Sequence, residues 1–398
     1  MTELHDELPR TWKNEVTKHI RSGDVPGAVA LVCHRGKTEV HTVGVQSLDD
    51  THPMKRDTIF RIASMSKPIA AAAAMILVDR GKLALDGPVD ALLPELANPR
   101  VLKQLDGPID DTVPAHRAIT LRDLLTLRMG LGYIMARSDG YPIQNAINEI
   151  GALQGFPKPQ VWPEPNTWMA QVGTLPLMQQ PGEAWMYDIG IDILGVLIAR
   201  AADQPLPEFL HHELFDPLGM VDTGFFVPDD QRHRLATAYS TAPDDTGLAV
   251  HDAPTTSQWA SPPPFPAAAS GLVSTCDDYL AFCRLLLDKG RYGEARLLSE
   301  SSVTGMTQNH LSDAQRAANR IFFGQHSGWG FGMSVVVERG PDPIRPGRFG
   351  WNGGLGTTAH TDPSENLIGI LLTQRLMDSP KPPAIFTDFW KTVYQNIG

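Results

Sequence analysis

Apolar residues Leu8, Trp12, Val16 and Ile20 recur every fourth position and stop before Gly23. That spacing predicts an amphipathic helix. Residues 27–33 and 38–45 are rich in Val and Thr and flank the polar turn His34-Arg35-Gly36-Lys37, so they read as a β-hairpin. A third extended piece, residues 58–62, runs into a strongly apolar helix over residues 65–80, with Gly81 where a C-terminal cap belongs. From Leu83 to Ser299 the pattern changes to helices and long loops. Thr120 is a candidate N-cap for residues 121–127, and further helices are predicted over 191–201, 206–214 and 277–287. Residues 138–173 carry many Pro and aromatic positions, including Tyr141, Phe156, Trp162 and Trp168. They are too apolar for a linker and too broken for one helix, so they read as a lid-like binding loop or a plain insertion. Period-two patterns return at residues 329–338, 348–352, 355–361 and 367–374, before a last helix over 383–396 with Ile385, Phe389 and Val393 on one face.

Strands at both ends with helices between them suggest an α+β fold. The simplest closed arrangement is one antiparallel sheet flanked by helices, with an inserted helical domain. The expected division is residues 1–82 and 300–398 for the sheet domain and 83–299 for the helical domain, which would carry the lid-like loops.

Composition narrows the function. The 398 residues include 34 basic and 45 acidic ones, a net charge of −11, and no basic run marks a nucleic-acid partner. No segment approaches the 18 apolar residues of a membrane span. The polar start, Met1 to Asp6, lacks the basic and apolar regions of a signal peptide, so a cytoplasmic location is expected. Cys33, Cys276 and Cys283 have no C-x-x-C spacing and read as buried thiols. The histidines show no metal-ligand spacing; His34 and the pair His211-His212 read as solvated. Neither a metal nor a cofactor is expected, and the oligomeric state is left open.

The candidate chemistry lies in Ser64-Met65-Ser66-Lys67. Pro68 has no N–H and is tolerated in a first helical turn, which puts the helix start near Ser64. Residues three apart share a face, so Ser64 and Lys67 can meet. Backbone N–H groups at a helix start are free to hold an oxyanion. With 18 Ser and 11 Lys, about every second chain of this size would contain one Ser-x-x-Lys by chance. A serine cap beside a solvated lysine is therefore the plain alternative, and further motifs have to decide.

They do so by their order. Ser64-Met65-Ser66-Lys67, then Tyr187-Asp188-Ile189, then Trp351-Asn352-Gly353-Gly354 on a late strand follow the sequence of motifs in penicillin-recognising serine hydrolases. The chain resembles the class C β-lactamase-like group over about residues 10–395, and within it the family VIII carboxylesterases and transesterases. Residues 119–126, 215–220 and 270–275 are similar to stretches of that group. The resemblance implies Ser64 as nucleophile, Lys67 and Tyr187 as its activating pair, and either as the base. It implies the second oxyanion donor at Gly354, or else at Gly353, with Trp351 and Asp188 in the substrate-binding surroundings. Two departures matter. Ile189 stands where the lactamases of this fold carry an Asn, and Trp351 where they carry the Lys of Lys-Thr-Gly. Both changes remove polar groups that would hold a β-lactam. The implied activity is a carboxylesterase-type serine hydrolase acting on small or short-chain esters through an acyl-enzyme at Ser64, with acyl transfer or weak β-lactam opening beside it. Trp162, Trp168, Trp259 and Trp351 suggest an apolar acyl or alcohol pocket, although Trp259, Trp329 and Trp351 also read as core, with only Trp351 favoured as pocket lining. β-Lactamase or D-amino-acid peptidase activity is the alternative, and a non-catalytic binding protein ranks below it.

Overall fold

The computed structural model describes residues 11–134, 140–150, 156–244, 247–340 and 345–397. The polar start, Leu8, the turn at Pro341 and parts of 138–173 lie outside them. Helix α1 (Trp12–Arg21) leads into strands β1 (Gly27–His34), β2 (Lys37–Ser47) and β3 (Asp50–Pro53). Helices α2 (Ser66–Asp79), α3 (Leu121–Leu125), α4 (Pro142–Glu149), α5 (Pro165–Val172), α6 (Gly190–Ala202) and α7 (Cys276–Leu287) follow. The chain then forms β4 (Ser327–Trp329), β5 (Ser334–Val336), β6 (Phe349–Gly353), β7 (Thr357–Asp362), β8 (Leu367–Thr373) and α8 (Ala384–Ile397).

All eight strands join in one antiparallel sheet, ordered β4-β5-β6-β7-β8-β1-β2-β3. The C-terminal meander thus closes onto the N-terminal hairpin through β8 and β1, with Leu31 opposite Ile370. Strand β1 is buried along nearly its whole length because both sheet faces are covered. Ala28, Ala30 and Val32 meet Leu367 and Leu371 and the apolar faces of α1 and α8. Val29, Leu31 and Cys33 point the other way, into the larger core with α2 and α7.

Helix α2 is apolar all round, and Ala70 to Ala74 are each at most 1% exposed. Small side chains let its neighbours approach closely, and α6 packs along it. The α+β arrangement read from the pattern of elements is the one observed. Three local expectations change. Residues 58–62 do not enter the main sheet: Phe60–Arg61 pairs with Val273–Ser274 in a separate ribbon. The strand expected over 329–338 is two strands, because Gly332 at φ +71 turns the chain where a Cβ would lie 2.6 Å from the Lys67 carbonyl. His34 is half-buried as the last residue of β1.

Candidate active site

Ser64 lies in a 3-10 turn, Ala63–Met65, that precedes α2. Ala63 has φ +43, a left-handed conformation that carries a cost of order 1 kcal/mol for a residue with a Cβ. Neighbouring bonds hold it there. Ser66 Oγ donates to the Ala63 carbonyl (2.7 Å) and accepts the Leu272 N–H (3.2 Å), and Ile62 N–H donates to Leu272 O (3.0 Å). The inner serine of Ser-Met-Ser-Lys is thus a brace, which the spacing of Ser64 and Lys67 alone did not reveal.

Lys67 stands in the first turn of α2 and is wholly buried. Its Nζ donates to Ser64 Oγ (2.9 Å) and to the Ala269 carbonyl (2.9 Å), and lies 2.6 Å from Asp188 Oδ1. It also sits 4.5 Å from the centre of the Tyr187 ring. Burial presses its pKa down, but the Asp188 carboxylate and Tyr187 outweigh this, so the lysine titrates above its ordinary value and is an ammonium. The Ala269 N–H in turn donates to Asp192 (2.9 Å), a buried carboxyl pushed up to about 7 by burial and then by the Asp188 charge.

Tyr187 comes from across the chain. Met186 N–H donates to the Leu127 carbonyl (2.8 Å), and Tyr133 N–H donates to the Tyr187 carbonyl. Tyr187 Oη donates to Ser64 Oγ (2.8 Å) and accepts the indole N–H of Trp351 (3.0 Å). Burial raises its pKa; the Lys67 ammonium opposes the rise but does not cancel it. The lowered phenol pKa that a neighbouring ammonium suggests is therefore not what the site has. Trp185, Phe322 and Trp351 enclose the Tyr187 ring at centroid distances of 5.6, 5.2 and 6.1 Å.

The structure brings Ser64, Lys67, Tyr187, Asp188 and Trp351 together. Asp188 is turned to Lys67 and its side chain stays partly exposed. Trp351 is more than an apolar wall, since its N–H fixes the phenol oxygen. Gly353, the last ladder residue of β6, opposes Thr357. A Cβ there would lie 2.2 Å from the Ile62 carbonyl, so only glycine lets this strand press against the segment leading to Ser64. Gly354 lies in the following turn, where a Cβ would meet the Phe156 ring at 3.3 Å. Phe156, one of the aromatics of the stretch 138–173 read as a lid-like loop or an insertion, thus lies beside the turn that carries Gly354.

Ile189 is fully buried in the core. Of the expected pocket tryptophans, Trp168 is buried and stacked on Trp162, with Phe265 against both. Trp259 is core as well, its N–H on Gly271 O (2.8 Å) and Arg61 over its ring. Cys33, Cys276 and Cys283 are free and buried, and His211 and His212 are exposed, as expected. Among the described residues no helix is long and apolar enough to cross a membrane.

A model of the Beta-lactamase family matches residues 12–385. Protein Rv1367c of Mycobacterium tuberculosis is 40% identical over 90% of this chain and 88% of its own length. Esterase EstB of Burkholderia gladioli is 29% identical over 92% of this chain and 90% of its own. The solved structure of EstCE1, described as a hydrolase with promiscuous acyltransferase activity, superposes with a TM-score of 0.78 at 25% identity, covering 96% of this chain and 97% of that one. The chain belongs to the Beta-lactamase family, and the descriptions of EstB and EstCE1 agree with the esterase-like resemblance of its motifs.

Proposed function

We propose that this member of the Beta-lactamase family is a serine enzyme that cleaves small carboxylic esters through an acyl-enzyme at Ser64. The observation that carries the reading is Ser64 Oγ between Lys67 Nζ at 2.9 Å and Tyr187 Oη at 2.8 Å. A hydroxyl flanked by a cation and a phenol has both the electrostatic help and the proton acceptor that acyl transfer requires.

In this reading Tyr187, as its phenolate, takes the Ser64 proton while Oγ bonds to the ester carbonyl carbon. The N–H groups of Ser64 and Gly354 hold the oxyanion. Collapse breaks the ester C–O bond, and Tyr187 returns the proton to the departing alcohol. Water then attacks the acyl carbon, passes its proton to Tyr187, and the acid leaves as Ser64 regains its hydrogen. An alcohol in place of water gives acyl transfer, the activity named for EstCE1. Lys67 stays protonated throughout and stabilises the phenolate.

Opening of β-lactams is the runner-up on the same nucleophile, and no side chain at 189 or 351 offers an amide or cation to favour it. The test pairs purified protein with Ser64→Ala on p-nitrophenyl butyrate and a chromogenic cephalosporin. Fast ester turnover lost in the variant, with slow lactam opening, is expected. Ester turnover that survives in Ser64→Ala would overturn the nucleophile, and faster lactam opening would overturn the substrate class.

A further inference from the structure

A cavity of about 560 Å³ lies between the β4–β7 side of the sheet and α8, and Trp351 and Phe322, which also enclose Tyr187, are among its lining residues. Ser64, Lys67 and Tyr187 do not line it. Its strand walls come from residues of β5, β6 and β7 that face α8, among them Ser334, Asn352 and His360, and Phe386, Trp390 and Tyr394 of α8 cover it. The body is thus mainly apolar and aromatic.

Its charge is one-sided. Arg348, Arg320, Lys381 and Lys391 line it, and no Asp or Glu does among the described residues, in a chain whose net charge is −11. Arg320, Lys381 and Lys391 are exposed around it. Arg348 is 5% exposed and lies inside. Its guanidinium carbon sits 3.9 Å from the Trp390 ring centre and 5.9 Å from that of Tyr394. No carboxylate among the described residues comes within ion-pair distance, and its Nε has no partner. Asp362, whose charge acts on Arg348, is already engaged by Tyr394 Oη (2.7 Å) and by the N–H and hydroxyl of Ser364 (2.9 and 2.6 Å). Burial presses the pKa of Arg348 down and that of His360 well below the ordinary range, so His360 is neutral and the fixed positive charge is Arg348. Beyond Tyr394, which shares a hydrogen bond with it, the buried guanidinium keeps its Nε–H open, and a desolvated cation so placed is incomplete until an anion meets it.

We infer that this cavity is a binding site for an organic carboxylate with an aryl or alkyl body, its carboxylate on Arg348 and its body against Trp390 and Phe386. The exposed Arg320, Lys381 and Lys391 draw the anion in, and the aromatic floor selects an apolar tail over a small inorganic ion. The inference does not rest on the ester reading, because Arg348, Phe386 and Trp390, on which it depends, are not among the groups placed around Ser64.

The probe is 4-phenylbutyrate, titrated calorimetrically, with 4-phenylbutanamide as its neutral counterpart. One-site binding is expected, weakened at least tenfold (about 1.4 kcal/mol) by the amide and by Arg348→Met. Lys67→Met, which removes the cation beside Ser64, should leave it unchanged. Absence of binding, equal binding by folded Arg348→Met, or loss confined to Lys67→Met would each overturn the site. If Arg348→Met does not fold, Lys381→Gln with Lys391→Gln replaces it: weakening of threefold or more supports the site, and unchanged affinity overturns it.

Discussion

The indole N–H of Trp351 is the donor that the Tyr187 oxygen accepts, at 3.0 Å. Trp351→Phe removes that donor and keeps an aromatic ring against Trp329, whose centroid is 4.8 Å away. A hydrogen bond to a neutral oxygen is worth about 1 kcal/mol net, and one to a charged oxygen about 2 kcal/mol. The variant therefore loses about 1 kcal/mol more in the phenolate state than in the phenol state. That difference raises the Tyr187 pKa by a little under one unit. Fewer enzyme molecules then hold the base at neutral pH, although a more basic phenolate recovers part of the loss. We expect kcat/KM for p-nitrophenyl butyrate to fall roughly three- to tenfold, with its rising alkaline limb moved up by about that fraction of a unit. Trp329→Phe is the control. Its N–H is bonded to the Leu125 carbonyl at 3.3 Å and does not touch the phenol oxygen, so its limb should stay in place. Identical limbs in Trp351→Phe and the parent, or equal shifts in both variants, would refute the reasoning.

Gly353→Ala puts a Cβ 2.2 Å from Ile62 O and 2.3 Å from Thr357 Oγ1, so ester turnover should fall at least a hundredfold; Gly354→Ala meets only the Phe156 ring at 3.3 Å and should keep a third or more. Comparable rates for the two variants would remove the close-approach argument. Asp192 keeps its proton up to about pH 7 when folded, against an ordinary value of 3.8, so the folded state binds the extra proton and stability falls as pH rises across that window. Asp192→Asn should flatten this slope, gaining at most about 4 kcal/mol by pH 8 in denaturant titrations, and an unchanged slope would count against the buried carboxyl. Burial pushes Cys283 up to about 12 and Cys276 well above its usual range. A thiol reagent should leave all three cysteines unlabelled in the native protein and label them in guanidinium, and rapid native labelling would contradict their burial.

Elements with a clear period were legible in the sequence. Ile385, Phe389 and Val393 fall every fourth residue because one face of α8 must meet the sheet, and all three are buried. The split of residues 329–338 was not legible, since it is set by how close Gly332 must come to α2, a contact between distant segments. The same holds in the site. Ser64 and Lys67 are three apart and announce their own proximity. Trp351 and Tyr187 are 164 positions apart, and nothing local says that an indole N–H will find a phenol. Asp188 was visible as a residue beside Tyr187, but its turn toward Lys67 depends on where α2 lies. Trp168 shows the opposite error: it has the composition of a pocket wall but belongs to the core.

The charges around Ser64 bear on which group removes its proton in the proposed reaction. For Lys67 to be the base it must first lose a proton while its Nζ lies 2.6 Å from Asp188 and against the Ala269 carbonyl. A neutral amine would leave both oxygens facing a group that no longer attracts them, inside a water-poor site. Keeping the proton makes Lys67 and Asp188 a neutral pair, and the one net charge that forms is then the Tyr187 phenolate. That charge has three partners in place: the Trp351 N–H, the Ser64 hydroxyl and the ammonium under the ring. A cation at position 351 would add a second positive charge and pull the phenol pKa down further. The indole, a neutral donor, lowers it by less, and Tyr187 stays above its ordinary value. The proposed enzyme therefore gains in rate as pH rises well past neutrality, because its base is a phenol that burial keeps protonated and that a neutral donor only partly offsets.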